Sequence, residues 1–204
     1  DLNVQGYVGL AAHLLQRPAQ LVYPREEAYL CTAKRHPLKM FCKTAADKEG
    51  RLLATDVRIL GDTGAYASYG LAVVSRAAAH ATGPYEVPNV RIESTFAYTN
   101  NPMAGAMRGF GVPQVAFAHE SQMDLLAEAL GISPLEIRTK NCYRIGSLTA
   151  TGQELRSSVG IAATLDAVAP YYLSKRNDDR ESQNGHVRRG RGIACMMYGI
   201  GNTG

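Results

Sequence analysis

Apolar residues recur along this chain with two different periods. In residues 2–16, Val4, Val8, Ala11 and Leu15 fall on one helical face and Pro18 stops the run, which predicts a helix. QLVY at 20–23 is a short apolar run of the kind found in buried strands, and the charged stretch REEAY follows it. The period then changes to two. Residues 38–46 and 51–60 flank the turn DKEG at 47–50, with Leu53, Thr55, Val57 and Ile59 alternating with Ala54, Asp56, Arg58 and Leu60. That pattern predicts a β-hairpin. SRAAAHA predicts a short helix, the prolines of GPYEVPN punctuate the chain, and the alternation of Val90, Ile92, Ser94, Phe96 and Tyr98 predicts a strand over 90–99.

The second half returns to the helical period. Pro113 suits a first helical turn, Met123, Leu126, Ala127 and Leu130 form an apolar stripe, and Gly131 caps the end. Ser133, Pro134 and Glu136 read as a capping box for a helix reaching about Cys142, and a further helix is predicted over 160–173. GIACMMYGIG is expected to open a strand whose partners lie past Gly204. Paired strands mixed with runs of helices predict an α+β fold of mixed helices and short sheets.

The chain of 204 residues is long enough for one sizeable core, and 46% hydrophobic with 20% charged residues argues against disorder. A net charge of +4 is too mild to require nucleic acid, and the cluster Arg188, Arg189 and Arg191 reads as a solvated loop. No stretch approaches the ~20 apolar residues of a membrane span. Cys31, Cys42, Cys142 and Cys195 are widely spaced, which predicts buried free thiols in a reducing cytoplasm rather than a metal site or a disulfide framework. A chain that opens DLNVQGY and closes YGIGNTG is expected to be a piece of a longer one.

Candidate chemistry concentrates in MAGAMRGFGVPQ, residues 103–114. Gly105, Gly109 and Gly111 permit backbone conformations closed to other residues. The loop enters a helix whose first amides are unpaired, so with Arg108 it suits an anionic or strongly polarised oxygen ligand. The same residues also suit a tight strand-to-helix turn with a solvent-facing arginine. The pattern is neither GxGxxG nor a phosphate loop.

TNNPMAGAMRGFGVPQ resembles the cofactor-binding segment of the xanthine dehydrogenase/aldehyde oxidase family, the molybdenum hydroxylases. REE at 25–27, RHP at 35–37, DTGAY at 62–66, GPYEVPNV at 83–90 and SPLEIRTKN at 133–141 are similar to the same family in the same order. The resemblance implies a first molybdopterin-binding domain over 1–174, a linker over 175–187 and the start of a second such domain over 188–204. It implies molybdopterin in the whole protein, with 2Fe-2S clusters and FAD on other domains or subunits. It places the backbone of Arg108 and Gly109 at the cofactor, the Arg108 amide facing the oxygen ligands of molybdenum. Phe110 falls at the wall against a ring-shaped substrate, and Arg76 at the arginine that holds the substrate's polar edge; core packing and a surface arginine are the plain alternatives for these two. Met107 departs from the family, which carries an aromatic residue there. Gln114 is assigned no role. His80 and His119 read as satisfied histidines, Glu120 as hydrogen-bonded structure, and Asp62 and Tyr66 as holding a turn.

By the same resemblance, a glycine-rich GGxFG segment precedes this stretch, while the general-base glutamate and a glutamine-glycine motif lie downstream. The chain alone is therefore expected to be inactive and to hold no cofactor. The whole protein is expected to be a cytoplasmic oxidoreductase that oxidises xanthine, hypoxanthine or similar N-heterocycles with oxygen from water. Within the family an aldehyde oxidoreductase or a nicotinate-type hydroxylase is the alternative. A cofactor-free interaction domain is the alternative from another class.

Overall fold

A computed structural model of the chain describes residues 4–174 and 190–200. The elements are α1 (Gln5–Leu15), α2 (Arg25–Cys31), β1 (Leu38–Ala46), β2 (Leu52–Gly64), α3 (Gly70–Ala79), β3 (Asn89–Tyr98), α4 (Val112–Leu130), α5 (Pro134–Asn141) and α6 (Ile161–Leu173). The fold is α+β. The linker expected over 175–187 lies outside the described residues.

The hairpin forms as predicted, with β1 antiparallel to β2 and Thr44 opposite Thr55. Strand β3 then pairs parallel to β2, Ile92 opposite Val57, giving the order β1-β2-β3. A parallel pair needs a crossover, and α3 lies in it. Pairing with β3 carries β2 to Gly64, beyond the predicted end at Leu60. The register shift at Ala45/Ala46 also changes one detail of the alternation. Leu52 turns inward at 5% exposure while Leu53 is 45% exposed, because the extra residue of a bulge reverses side-chain parity beyond it.

Two apolar clusters hold the layers together. Val57, Ile59, Ala77, Ala81 and Val115 pack α3 and α4 on the sheet. Leu52, Tyr85, Met123, Ala127, Ile137 and Leu165 join α4, α5 and α6. The α5 capping box is present, Ser133 Oγ accepting the Glu136 amide at 3.0 Å.

Three expectations change. Residues 20–23 form no strand; Val22 is 71% exposed, since the run has no sheet neighbour to bury it. The charged stretch after it is helical instead, with Glu26 and Glu27 in the first turn of α2, where the helix dipole favours them. Residues 190–200 form no strand among the described residues; side-chain acceptors hold them. Of the basic cluster, Arg188 and Arg189 lie outside the described residues. Arg191 is no free loop charge, because it donates to the carbonyls of Tyr172 and Ser174 at the C-terminal end of α6. Cys142 and Cys195 are buried free thiols, Cys42 is half-buried, and Cys31 is exposed. Among the described residues no helix is long and apolar enough to cross a membrane.

Candidate functional site

The loop 103–111 takes its shape from backbone conformations that few residues tolerate. Gly109, Phe110 and Gly111 all have positive φ, at 92°, 49° and 97°. A Cβ on Gly109 would stand 2.3 Å from Pro113 Cγ, and one on Gly111 would stand 2.5 Å from the Val73 carbonyl. Glycine is therefore required at both. Phe110 is no glycine, and a non-glycine residue in the left-handed region is a strained position of the sort found at functional sites.

The RHP stretch braces this loop. Arg35 Nη2 donates to the Arg108 carbonyl at 2.8 Å and Nη1 to Gln114 Oε1 at 3.3 Å, while Gln114 Nε2 donates to the His36 carbonyl at 3.2 Å. Gln114, with no role assigned from sequence, thus ties the start of α4 to the loop's support. On the other side, the Ala104 amide donates to Thr63 and the Gly105 amide to Lys34. The neighbouring turn is held by Asp62, whose carboxylate accepts from the Gly64 amide, Thr99 Oγ1 and Asn101 Nδ2. Those bonds hold its pKa below the usual carboxylate value. Tyr66 does not share that task, being 70% exposed.

One open groove of about 550 Å³ is lined by Arg76, Ala106, Met107, Arg108, Gly109, Phe110 and Tyr198. It brings together all four residues that the resemblance singles out. The bend consumes the Phe110 amide, which donates to Met107, and the Val112 amide, which donates to Gly109. Among the described residues the amides of Arg108 and Gly109 make no hydrogen bond. Unspent donors beside a guanidinium suit the oxygen atoms of an anionic group.

Phe110 meets Tyr69 edge-on at 5.9 Å between centroids. Arg76 reaches the groove from the buried side of α3, with its guanidinium carbon 4.5 Å from the Tyr198 ring centroid and Nη2 donating to the Gly199 carbonyl. Sequence does not single out Tyr198, because no local pattern links it to α3. His80 is fully used: the Gly199 amide donates to Nε2 at 3.0 Å, so Nδ1 carries the proton and donates to the Arg76 carbonyl at 2.8 Å.

A buried charge cluster anchors the stretch that carries Tyr198. Glu120 accepts from Arg138 Nε at 2.8 Å, Tyr85 Oη at 2.6 Å and the Cys195 amide at 3.0 Å, which makes it structural. Burial and the Glu120 charge push the Tyr85 hydroxyl far up, so it stays a donor. His119 is buried with neither ring nitrogen in hydrogen-bonding geometry, and burial lowers its pKa. The described residues contain no group of three His, Cys, Asp or Glu that could hold a metal directly.

Residues 1–142 match the family described as "Molybdopterin cofactor-binding domain". The chain is 53% identical over 166 residues to the nicotinate dehydrogenase large molybdopterin subunit of Eubacterium barkeri, covering 81% of this chain and 39% of that protein. It is 42% identical over 202 residues to a subunit of a probable xanthine dehydrogenase from Bacillus subtilis, covering 98% of this chain and 27% of the relative. The solved aldehyde oxidoreductase of Desulfovibrio gigas matches with a TM-score of 0.76 at 38% identity, over 84% of this chain and 19% of that one. The chain belongs to the molybdopterin cofactor-binding family, that of the xanthine dehydrogenase and aldehyde oxidoreductase large subunits. It spans well under half the length of these relatives.

Proposed function

We propose that this chain forms one wall of the molybdopterin site in a molybdenum hydroxylase acting on an electron-poor N-heterocycle with a polar edge, a purine or nicotinate. The observation that carries this reading is the convergence of Arg76, Arg108, Gly109 and Phe110 on one groove from two separate stretches of sequence. Bound molybdopterin would supply two-electron redox chemistry, with water as the oxygen source. The chain's own residues bind and orient. The amides of Arg108 and Gly109 would hold the oxygen-rich end of the cofactor, the Phe110 ring would flank a planar substrate, and the Arg76 guanidinium would hold its polar edge. The general base, the iron–sulfur clusters and the flavin come from outside this chain, in further domains or subunits.

The relatives named for nicotinate and xanthine support a heterocycle. One observation favours an aldehyde as a second reading: Arg76 already donates to Gly199, which takes up part of its edge. The test is steady-state kinetics of the full-length protein, with molybdenum measured per chain, on hypoxanthine, nicotinate and benzaldehyde. Arg76→Leu is expected to lower kcat/KM for a heterocycle by roughly 10- to 100-fold, the worth of a hydrogen bond to a charged group. Benzaldehyde oxidation is expected to be unchanged. A variant equal to wild type on both heterocycles would overturn the reading.

A further inference from the structure

The geometry points to Tyr198 as the residue that positions Arg76 and so sets the preference for substrates with a polar or anionic edge. This inference rests on reading the groove as the substrate site. Residues 190–200 belong to no sheet, yet two amides fix them: Cys195 donates to the buried Glu120 at 3.0 Å and Gly199 to His80 at 3.0 Å. The Gly199 carbonyl in turn accepts from Arg76. Tyr198 lies between these two anchors. The Arg76 guanidinium carbon lies over its ring, 4.5 Å from the centroid, and the ring stands 6.0 Å from that of His80 and lines the groove beside Phe110.

That arrangement has a chemical consequence. A guanidinium donates hydrogen bonds in its own plane, whereas its two faces are apolar enough to stack on an aromatic ring. A ring held against the group removes water from that side and, with the Gly199 carbonyl on Nη2, restricts its rotation. A fixed, partly desolvated edge holds a planar carboxylate or the carbonyl edge of an oxopurine more strongly than a mobile hydrated one. A neutral aldehyde gains nothing from it. With the ring 47% exposed, Tyr198 is a surface residue of the groove wall rather than part of the core, so its loss leaves the clusters beneath intact.

The experiment compares Tyr198→Ala, Tyr198→Phe and Arg76→Leu in the full-length, cofactor-loaded protein. Tyr198→Ala is expected to raise KM for nicotinate or hypoxanthine by roughly three- to tenfold, the worth of a partly exposed cation–π contact, and to raise it clearly more for these than for benzaldehyde. Tyr198→Phe keeps the ring and is expected to behave as wild type. A second readout needs no turnover: phenylglyoxal labelling of Arg76, followed by peptide mass spectrometry, is expected to speed up in Tyr198→Ala and not in Tyr198→Phe. If Arg76→Leu raises KM and Tyr198→Ala does not, the positioning role fails and the proposed function stands. If neither raises KM, the groove is not the substrate site and both fail. An equal loss on all three substrates, or labelling no faster than in wild type, also overturns the inference.

Discussion

Replacing Arg138 by Met tests the charge cluster to which the Cys195 amide, three residues before Tyr198, is bonded. Arg138 is fully buried, and its guanidinium bonds Glu120 Oε2 at 2.8 Å, the Glu120 carbonyl at 3.2 Å and the Pro134 carbonyl at 2.9 Å. A methionine fills similar space but leaves the Glu120 carboxylate, 8% exposed, facing Tyr85, the Cys195 amide and the buried His119 ring, whose Nε2 stands 3.6 Å from Oε1. Removing one partner of a buried pair costs about 3–5 kcal/mol, because the other charge stays desolvated. The second ion pair of Arg138, to Asp124 at 2.8 Å, involves a side chain 57% exposed and adds at most about 1 kcal/mol. Against a total stability of about 5–15 kcal/mol the loss is large, and at this chain length it lowers Tm by roughly 6–20 °C. Urea unfolding and calorimetry measure it, and hydrogen exchange at the Cys195 amide reports whether residues 190–200 loosen first. The double variant Arg138→Met/Glu120→Leu, which removes both charges, is expected to recover most of the loss. A single variant within about 1 kcal/mol of wild type, or a double variant worse than the single, would refute the assignment of Glu120 and Arg138 as a coupled buried pair.

Two further outcomes follow from the geometry. Gly111→Ala is expected to destabilise more than Gly131→Ala in urea titrations: both have positive φ, but only at Gly111 does a Cβ meet a backbone carbonyl, at 2.5 Å, whereas nothing lies within 4 Å at Gly131. Equal losses would show that the loop yields to the methyl group. Burial lowers the folded pKa of His36, His80 and His119 below 6.5, so below that pH the unfolded chain binds protons that the folded chain refuses. Stability is thus complete above pH 6.5 and declines as pH falls from there towards the folded values. Urea midpoints read across that window are expected to fall, with a shallower slope in His119→Leu; a flat profile contradicts the burial argument.

Where local pattern decided the structure, the sequence was readable. The hairpin, α4, α5 and α6 follow from alternation, helical stripes and caps, and RGFG marked the loop because few segments combine three glycines with a helix start. What escaped was non-local. Whether 20–23 becomes a strand depends on a neighbour to pair with, and the chain offers none there. Leu52 and Leu53 exchanged faces because of a bulge set by the partner strand. Arg35 and Gln114 support the loop through bonds between residues 79 apart in sequence, and Tyr198 meets Arg76 only through the tertiary fold. The buried role of Glu120 was legible from its place on the inner face of α4, but its partners Tyr85 and Arg138 were not.

Helix α3 lies inside the crossover that joins parallel strands β2 and β3. A hairpin closes from local contacts, whereas a parallel pair must first bring distant segments together, which is the slower event in folding. Arg76 rides on that connection, between two strands that pair with one another. A slip of β3 is therefore expected to shift Arg76 relative to the loop 103–111 while leaving the local hairpin formed.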